Sequence, residues 1–406
     1  GLGDVYKRQI TWWSGSLDQS QPTTAEGRRL GAEARREPDA NWKRWGTYLA
    51  ERQWGTVRED YSTNGGVWSH FTHDDATWRT YRWGEDGLLG FTDRQCRLCF
   101  ALALWNGVDP ILKERLYGLA GHEGNHGEDV KDCYFYLDAT PTHSYCKALY
   151  KYPQTVFPYQ ELLDVNRQRS RQELEYELTD TGIFDGDRYF DVFIEYAKSS
   201  ADDILIRITV HNRSDQAAHL DLLPTLWYRN TWSWERGYEA DIPKPKISQV
   251  SRSQVIAEHQ TLGRYRFDAD IDQQGNLPSW LFTENETNSL RHTGSGRTRM
   301  SSKDAFHQHV VQKQRGIVNQ LPRGTKTAAW YSLTIPGGES TTIRLRLTDD
   351  AIPVAAPFSE QFDEIFALRI AEADEFHDSR VHRGLTQDER RVHRPVSYTH
   401  LRAHET

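Results

Sequence analysis

A mainly β protein, built as an antiparallel β-sandwich with helical insertions, is the fold this chain of 406 residues predicts. Three observations carry that reading. Between residues 189 and 348, apolar side chains recur at every second position in a series of short segments, the pattern of strands with one buried and one wet face. The segments are joined by short polar connections with no helical pattern between them, which argues for antiparallel pairing rather than βαβ units. Only at 358–380 does the period return to that of a helix, so the sandwich ends there.

Taken in order, residues 10–38 are polar and rich in Gly, Pro and charge. With the first nine residues they read as a disordered or partly helical lead-in over 1–39. The aromatic signal starts at NWKRWGTYLAERQWG, where Trp42, Trp45 and Leu49 stand at helical spacing. In CRLCFALALW the CxxC of Cys96 and Cys99 is expected beside an apolar helical face, without the four-ligand pattern of a zinc site. Asp109-Pro110 before ILKERLYGL reads as a helix start, since an Asp cap and a first-turn Pro both suit the open amides there.

The strands follow at YFDVFIEYAK (189–198), DDILIRITVHNRS (202–214), HLDLLPTLWYRN (219–230), RYRFDAD (264–270), SWLFT (279–283), TAAWYSLTI (327–335) and STTIRLRLT (340–348). In the second, Ile204, Ile206, Ile208 and Val210 share one face while Arg207 and Thr209 share the other. Pro336-Gly337-Gly338-Glu339 between the last two reads as a hairpin turn. In FSEQFDEIFALRIAEADEFHDSR (358–380), Phe362, Ile365, Phe366, Leu368 and Ile370 cluster helically, and Ser359 supplies a cap.

Composition narrows the function. A net charge of −8 excludes a nucleic-acid surface, which needs clustered Lys and Arg. No stretch has the 18 or so apolar residues of a membrane helix, and the N-terminus lacks a secretory layout. Four cysteines are too few for a disulfide scaffold, so a cytoplasmic location is expected, with no cofactor. The 14 Trp and 19 Tyr are first of all core material, yet flat aromatic faces also stack on sugar rings, which raises carbohydrate as a ligand class.

Residues 121–130, GHEGNHGEDV, contain His122, Glu123 and His126 in an HExxH pattern. A zinc protease needs both histidines one turn apart on a rigid helix. Gly121, Gly124 and Gly127 crowd this stretch, and each costs a helix interior roughly 1 kcal/mol relative to Ala. The segment is expected to be a glycine-rich loop between two helical segments, with no metal.

Stretches at 41–62, 81–119, 123–154, 180–198 and 208–232 (among them YRWGEDGLLGFTDRQCRLCFALALWNGVDPILKERLYGL and EGNHGEDVKDCYFYLDATPTHSYCKALYKYPQ) resemble the mannosyl-oligosaccharide glucosidase family, glycoside hydrolase family 63, and within it the long bacterial glucosidases. The resemblance covers roughly residues 40 to 394. It implies an N-terminal β-sandwich at 40–350, then a linker and the first helix of a truncated (α/α)6 barrel at 351–394. Inverting hydrolysis, which this family performs, needs an acid and a base spaced by roughly 6.5 to 9.5 Å; the family carries them, an Asp and a Glu, in the barrel, beyond this chain. Residues 1–9 and 395–406 resemble adapter-derived sequence, so the native protein is expected to continue past Arg394.

The resemblance therefore implies the N-terminal part of an inverting glucosidase acting on α-glucosidic or related oligosaccharides, inactive alone. Its helix at 358–380 would expose an apolar face for want of a barrel. The alternative is a stand-alone carbohydrate-binding or interaction module. Candidate substrate-binding residues are Trp83, Glu85 and Asp86 in RWGEDG, and Glu128 and Asp129 in HGEDV. These carboxylates are bracketed by glycines and lie near aromatics, a setting that suits sugar hydroxyls. They read either as parts of loops that close the barrel's cleft or as caps and ion-pair partners for Arg79, Arg82 or Lys131.

Overall fold

The structure, a computed structural model, describes residues 23–54, 62, 66, 70–126, 129–233, 243–293, 301–380 and 394. Two antiparallel sheets enclose one core. The six-stranded sheet runs, in spatial order, Trp45–Gly46, Leu88–Asp93, Leu98–Trp105, Ala218–Tyr228, Lys326–Ile335 and Ser279–Thr283. The nine-stranded sheet runs Arg323–Gly324, Lys246–Ser251, Gln254–His259, Gly263–Ala269, Ser340–Asp349, Asp203–Asn212, Tyr189–Ser200, Tyr145–Pro153 and Tyr134–Ala139. Among the described residues no helix is long and apolar enough to cross a membrane.

All seven strands expected from alternation are present. Ile204, Ile206, Ile208 and Val210 point into the core between the sheets, where Phe100, Leu102 and Leu104 meet them from the opposite sheet. Each such side chain contributes about 1.5–3 kcal/mol through its removal from water.

Three helical expectations fail, for related reasons. CRLCFALALW holds the strand Leu98–Trp105, buried along its whole length; a strand covered on both faces reads as a continuous apolar run, which cannot be told from a helix by period. After Asp109 there is no helix: Lys113 bridges to Leu104 in the sheet, and Asp109 instead accepts the hydroxyls of Tyr152 (2.9 Å) and Tyr159 (3.2 Å). At 41–54 only a 3-10 turn, Trp42–Arg44, precedes the short strand Trp45–Gly46. The Trp45 ring is fully buried between the sheets.

The outer face of the nine-stranded sheet is covered by the helix Glu360–Arg380, which seats Phe362, Ile365, Phe366 and Ala373 on Tyr145, Ala197 and Leu205. Arg369 ties it down through Nε to the Lys198 carbonyl at 2.6 Å. The expected exposed apolar face is thus packed against the sandwich itself. Nor is the whole lead-in disordered: the helix Ala25–Ala34, capped by Thr24, pairs with this helix through Arg29 and Glu372. Its buried Glu26 accepts from Thr142 and Ser144.

Candidate functional site

On the strand Leu98–Trp105, the side chains turned away from the core are Cys99, Ala101, Ala103 and Trp105. Across the ladder Trp227 pairs with Cys99, Thr225 with Ala101 and Leu223 with Ala103. The small residues leave a shallow trough on the outer face of the six-stranded sheet, and the loops around residues 85, 115 and 303 lie in it. Gly87 permits that approach, since a Cβ there would stand 2.6 Å from that of Ala101.

Three acids and three bases line the trough: Glu85, Asp86 and Glu114 with Arg115, Lys303 and Lys326. All but Glu114 are buried, and its side chain is only 9% exposed. Asp86 accepts from Arg115 Nε at 3.1 Å, the Tyr81 hydroxyl at 2.7 Å and the Gln53 amide at 2.9 Å. Glu85 accepts from Asn285 Nδ2 at 2.8 Å, and Glu114 from Lys326 Nζ at 2.5 Å. Lys303 donates to the Arg79 carbonyl at 2.9 Å and lies 4.2 Å from the centroid of the Tyr81 ring.

Burial, opposed by Lys303 and Asn285, holds the Glu85 carboxyl above its usual range. Burial, with Arg115 nearby, brings Lys303 down to about 8. For Glu114 burial works upward, but Lys326 and Arg115 outweigh it and the carboxyl sits low. The cavity the six groups leave is about 20 Å³, roughly the room one water requires. The arrangement can hold charge in fixed geometry; it has no room for a sugar ring.

Of the sequence candidates, Glu85 and Asp86 meet here. Their partners are Arg115, Lys303 and Asn285 rather than Arg79, Arg82 or Lys131. Trp83, two residues away, is 44% exposed with Arg82 4.5 Å from its ring centroid. Glu128 lies outside the described residues. The backbone of Asp129 pairs with Leu119 in a separate two-stranded ladder, Gly118–Leu119 with Asp129–Val130. Strands rather than helical segments therefore border GHEGNHGEDV: Gly118–Leu119 precedes it, Asp129–Val130 ends it and Tyr134–Ala139 follows. Its first residues form a single 3-10 turn, Gly121–Glu123; Glu123 accepts the Ala120 amide, and His126 Nε2 is 2.8 Å from the Glu173 carbonyl. Among the described residues no cluster of three or more His, Cys, Asp or Glu could hold a metal.

A buried ion pair away from the trough escaped the sequence reading. Lys113 Nζ stands 3.5 Å from Asp132 Oδ2 and 3.7 Å from the centroid of the Phe157 ring. Lys113 and Arg115 within the apolar run ILKERLYGL were the available signal, because charges in such company must find buried partners.

No family model matches the chain. Over 395 residues it is 40% identical to "Uncharacterized protein YMR196W" of Saccharomyces cerevisiae, a match covering 89% of this chain and 36% of the yeast protein. The chain thus spans about a third of that relative's length. Among solved structures it is similar to a polysaccharide lyase (11% identity, 66% of this chain, 27% of that one, TM-score 0.28) and to a candidate kojibiose phosphorylase from the human microbiome (9% identity, 80% and 33%, TM-score 0.28). At that TM-score neither likeness bears on fold or activity.

Proposed function

We propose that this chain is the β-sandwich part of a carbohydrate-processing enzyme, an inverting glucosidase of the mannosyl-oligosaccharide glucosidase type. In that reading the acid and base that cleave the substrate belong to a helical barrel that follows residue 380. The helix Glu360–Arg380 serves as the joint between the two parts. One observation carries the non-catalytic role: the carboxylates gathered above the six-stranded sheet are closed in by basic and amide partners around space for a single water. An inverting pair must instead admit a sugar and a water between acid and base. The resemblance of the sequence at 41–232 supports the substrate class, and the 40% identity to a much longer yeast protein supports a larger whole.

The test is sugar release by that full-length yeast relative on a panel of α-glucosidic di- and oligosaccharides, read by proton NMR. Release of β-glucose ahead of α-glucose is expected. The α anomer appearing first would overturn inversion, and no release across the panel would overturn the class.

A second reading, a free-standing carbohydrate-binding module, gains from the seated helix, which leaves the sandwich covered on both faces. Titration of the chain with maltose and kojibiose separates the two. Saturable binding lost in Trp83→Ala favours the module, and no binding favours the enzyme part.

A further inference from the structure

Cys96 sits in the turn joining Leu88–Asp93 to Leu98–Trp105 and Cys99 at the start of the second strand, and their Sγ atoms are 3.5 Å apart. The turn that presents them is heavily fixed. The Asp93 carboxylate accepts from the amides of Gln95 (3.1 Å), Arg97 (2.7 Å) and Leu98 (2.9 Å). The Cys96 amide donates to the Asp93 carbonyl at 2.7 Å, and Arg229 Nε holds the Cys96 carbonyl at 3.2 Å. Cys96 itself adopts φ +52°, a left-handed conformation that costs a non-glycine residue free energy and persists only where its surroundings impose it. The two thiols are also unequal: Cys96 is half-buried, whereas Cys99 is fully buried beside Leu49, Ala101 and Trp227.

We propose that Cys96 and Cys99 are a redox modification site, a dithiol that closes reversibly to an intramolecular disulfide. A disulfide has an S–S length of about 2.05 Å, so the sulfurs must approach by roughly 1.5 Å. With a glutathione disulfide as oxidant, the Cys96 thiolate attacks one of its sulfurs, expelling one glutathione thiolate and leaving a mixed disulfide. Cys99 then loses its proton to solvent and attacks the Cys96 sulfur, expelling the second glutathione thiolate. The protein loses two hydrogens and one glutathione disulfide becomes two glutathiones. Burial raises the Cys99 thiol well above its ordinary range, so the second step is the slower one and quickens with rising pH. The bond would lock the turn beneath the Trp227 side of the ionic trough.

The test is peptide mapping by mass spectrometry after the native chain is equilibrated with glutathione disulfide, its circular dichroism being unchanged. A peptide pair linked through Cys96 and Cys99, two hydrogens lighter and restored by dithiothreitol, is expected. Cys99→Ser should arrest the reaction with glutathione on Cys96, and Cys96→Ser should leave Cys99 unmodified. A native chain that retains glutathione on Cys96 at equilibrium overturns the proposal. So does one in which half-buried Cys133 reacts while Cys96 and Cys99 stay reduced.

Discussion

The two outer faces of the sandwich are closed in different ways. Over the nine-stranded sheet lies one helix, whose Phe362, Ile365 and Phe366 meet Tyr145, Ala197 and Leu205. Over the six-stranded sheet lie loops that bring five charged side chains, joined by Lys326 of the sheet itself, onto a floor of Ala101, Ala103 and Thr225. The first closure is mainly apolar, with Arg369 as its polar tie, and tolerates volume-conserving hydrophobic swaps at modest cost. The second works only while each charge keeps its partner, because a buried charge left alone is strongly unfavourable. Stability is therefore spread along the helix and concentrated at a few groups under the loops.

That contrast can be broken most severely on the charged side. Arg115→Ala leaves the Asp86 carboxylate buried without its cation, and a loss of about 3–5 kcal/mol is expected in urea unfolding. A loss under 1 kcal/mol would show the cluster to be open to water. On the helix side Phe366→Ala should cost about 3 kcal/mol, partly because Arg207 also rests on that ring, 4.3 Å from its centroid. Since the helix and the loops cover opposite faces, the double variant should lose close to the sum of the two single losses.

Two buried lysines also have a lowered pKa. Lys198, whose Nζ lies 5.6 Å from the centroid of the Phe91 ring, donates to the carbonyls of Trp42 (2.5 Å), Trp45 and Thr142 (3.2 Å). Burial brings it to about 7 from an ordinary 10.5; Lys303, under the loops, stands at about 8. Between those values and 10.5 the unfolded chain binds more protons than the folded one, so stability rises with pH across that window. The rise is lost as pH falls through about 8 and then about 7. Urea midpoints at pH 7 and pH 9 should therefore differ, with the difference smaller in Lys198→Met and smaller again when Lys303→Met is added. Smallest of all, Leu368→Ala on the solvent side of the helix should shift stability by no more than about 0.5 kcal/mol.

Strands whose outer face carries polar side chains were legible from alternation, as in Ile204 to Val210 with Arg207 and Thr209 between them, and so was the helix ending at Arg380. What hid was whatever is buried on both sides: the strand Leu98–Trp105 has core on one face and the ionic trough on the other. Its alternation of large Leu and Phe with small Cys and Ala was the surviving trace. The candidate site was half visible. Glu85 and Asp86 stood out between glycines, but Asn285 and Lys303 come from some two hundred residues further along the chain, and no local pattern announces such pairings. In the HExxH stretch the glycines were a legible sign against the helix that zinc chemistry requires, whereas the strands Gly118–Leu119 and Asp129–Val130, two residues each, were too short to announce themselves.

The most direct test of the central claim is the chain's own activity. Incubated with α-glucosidic oligosaccharides, it should release no glucose, because the trough above the six-stranded sheet holds its acids in closed pairs. Steady release by the purified chain, abolished in Glu85→Gln or Asp86→Asn, would contradict the account and make that trough an active site.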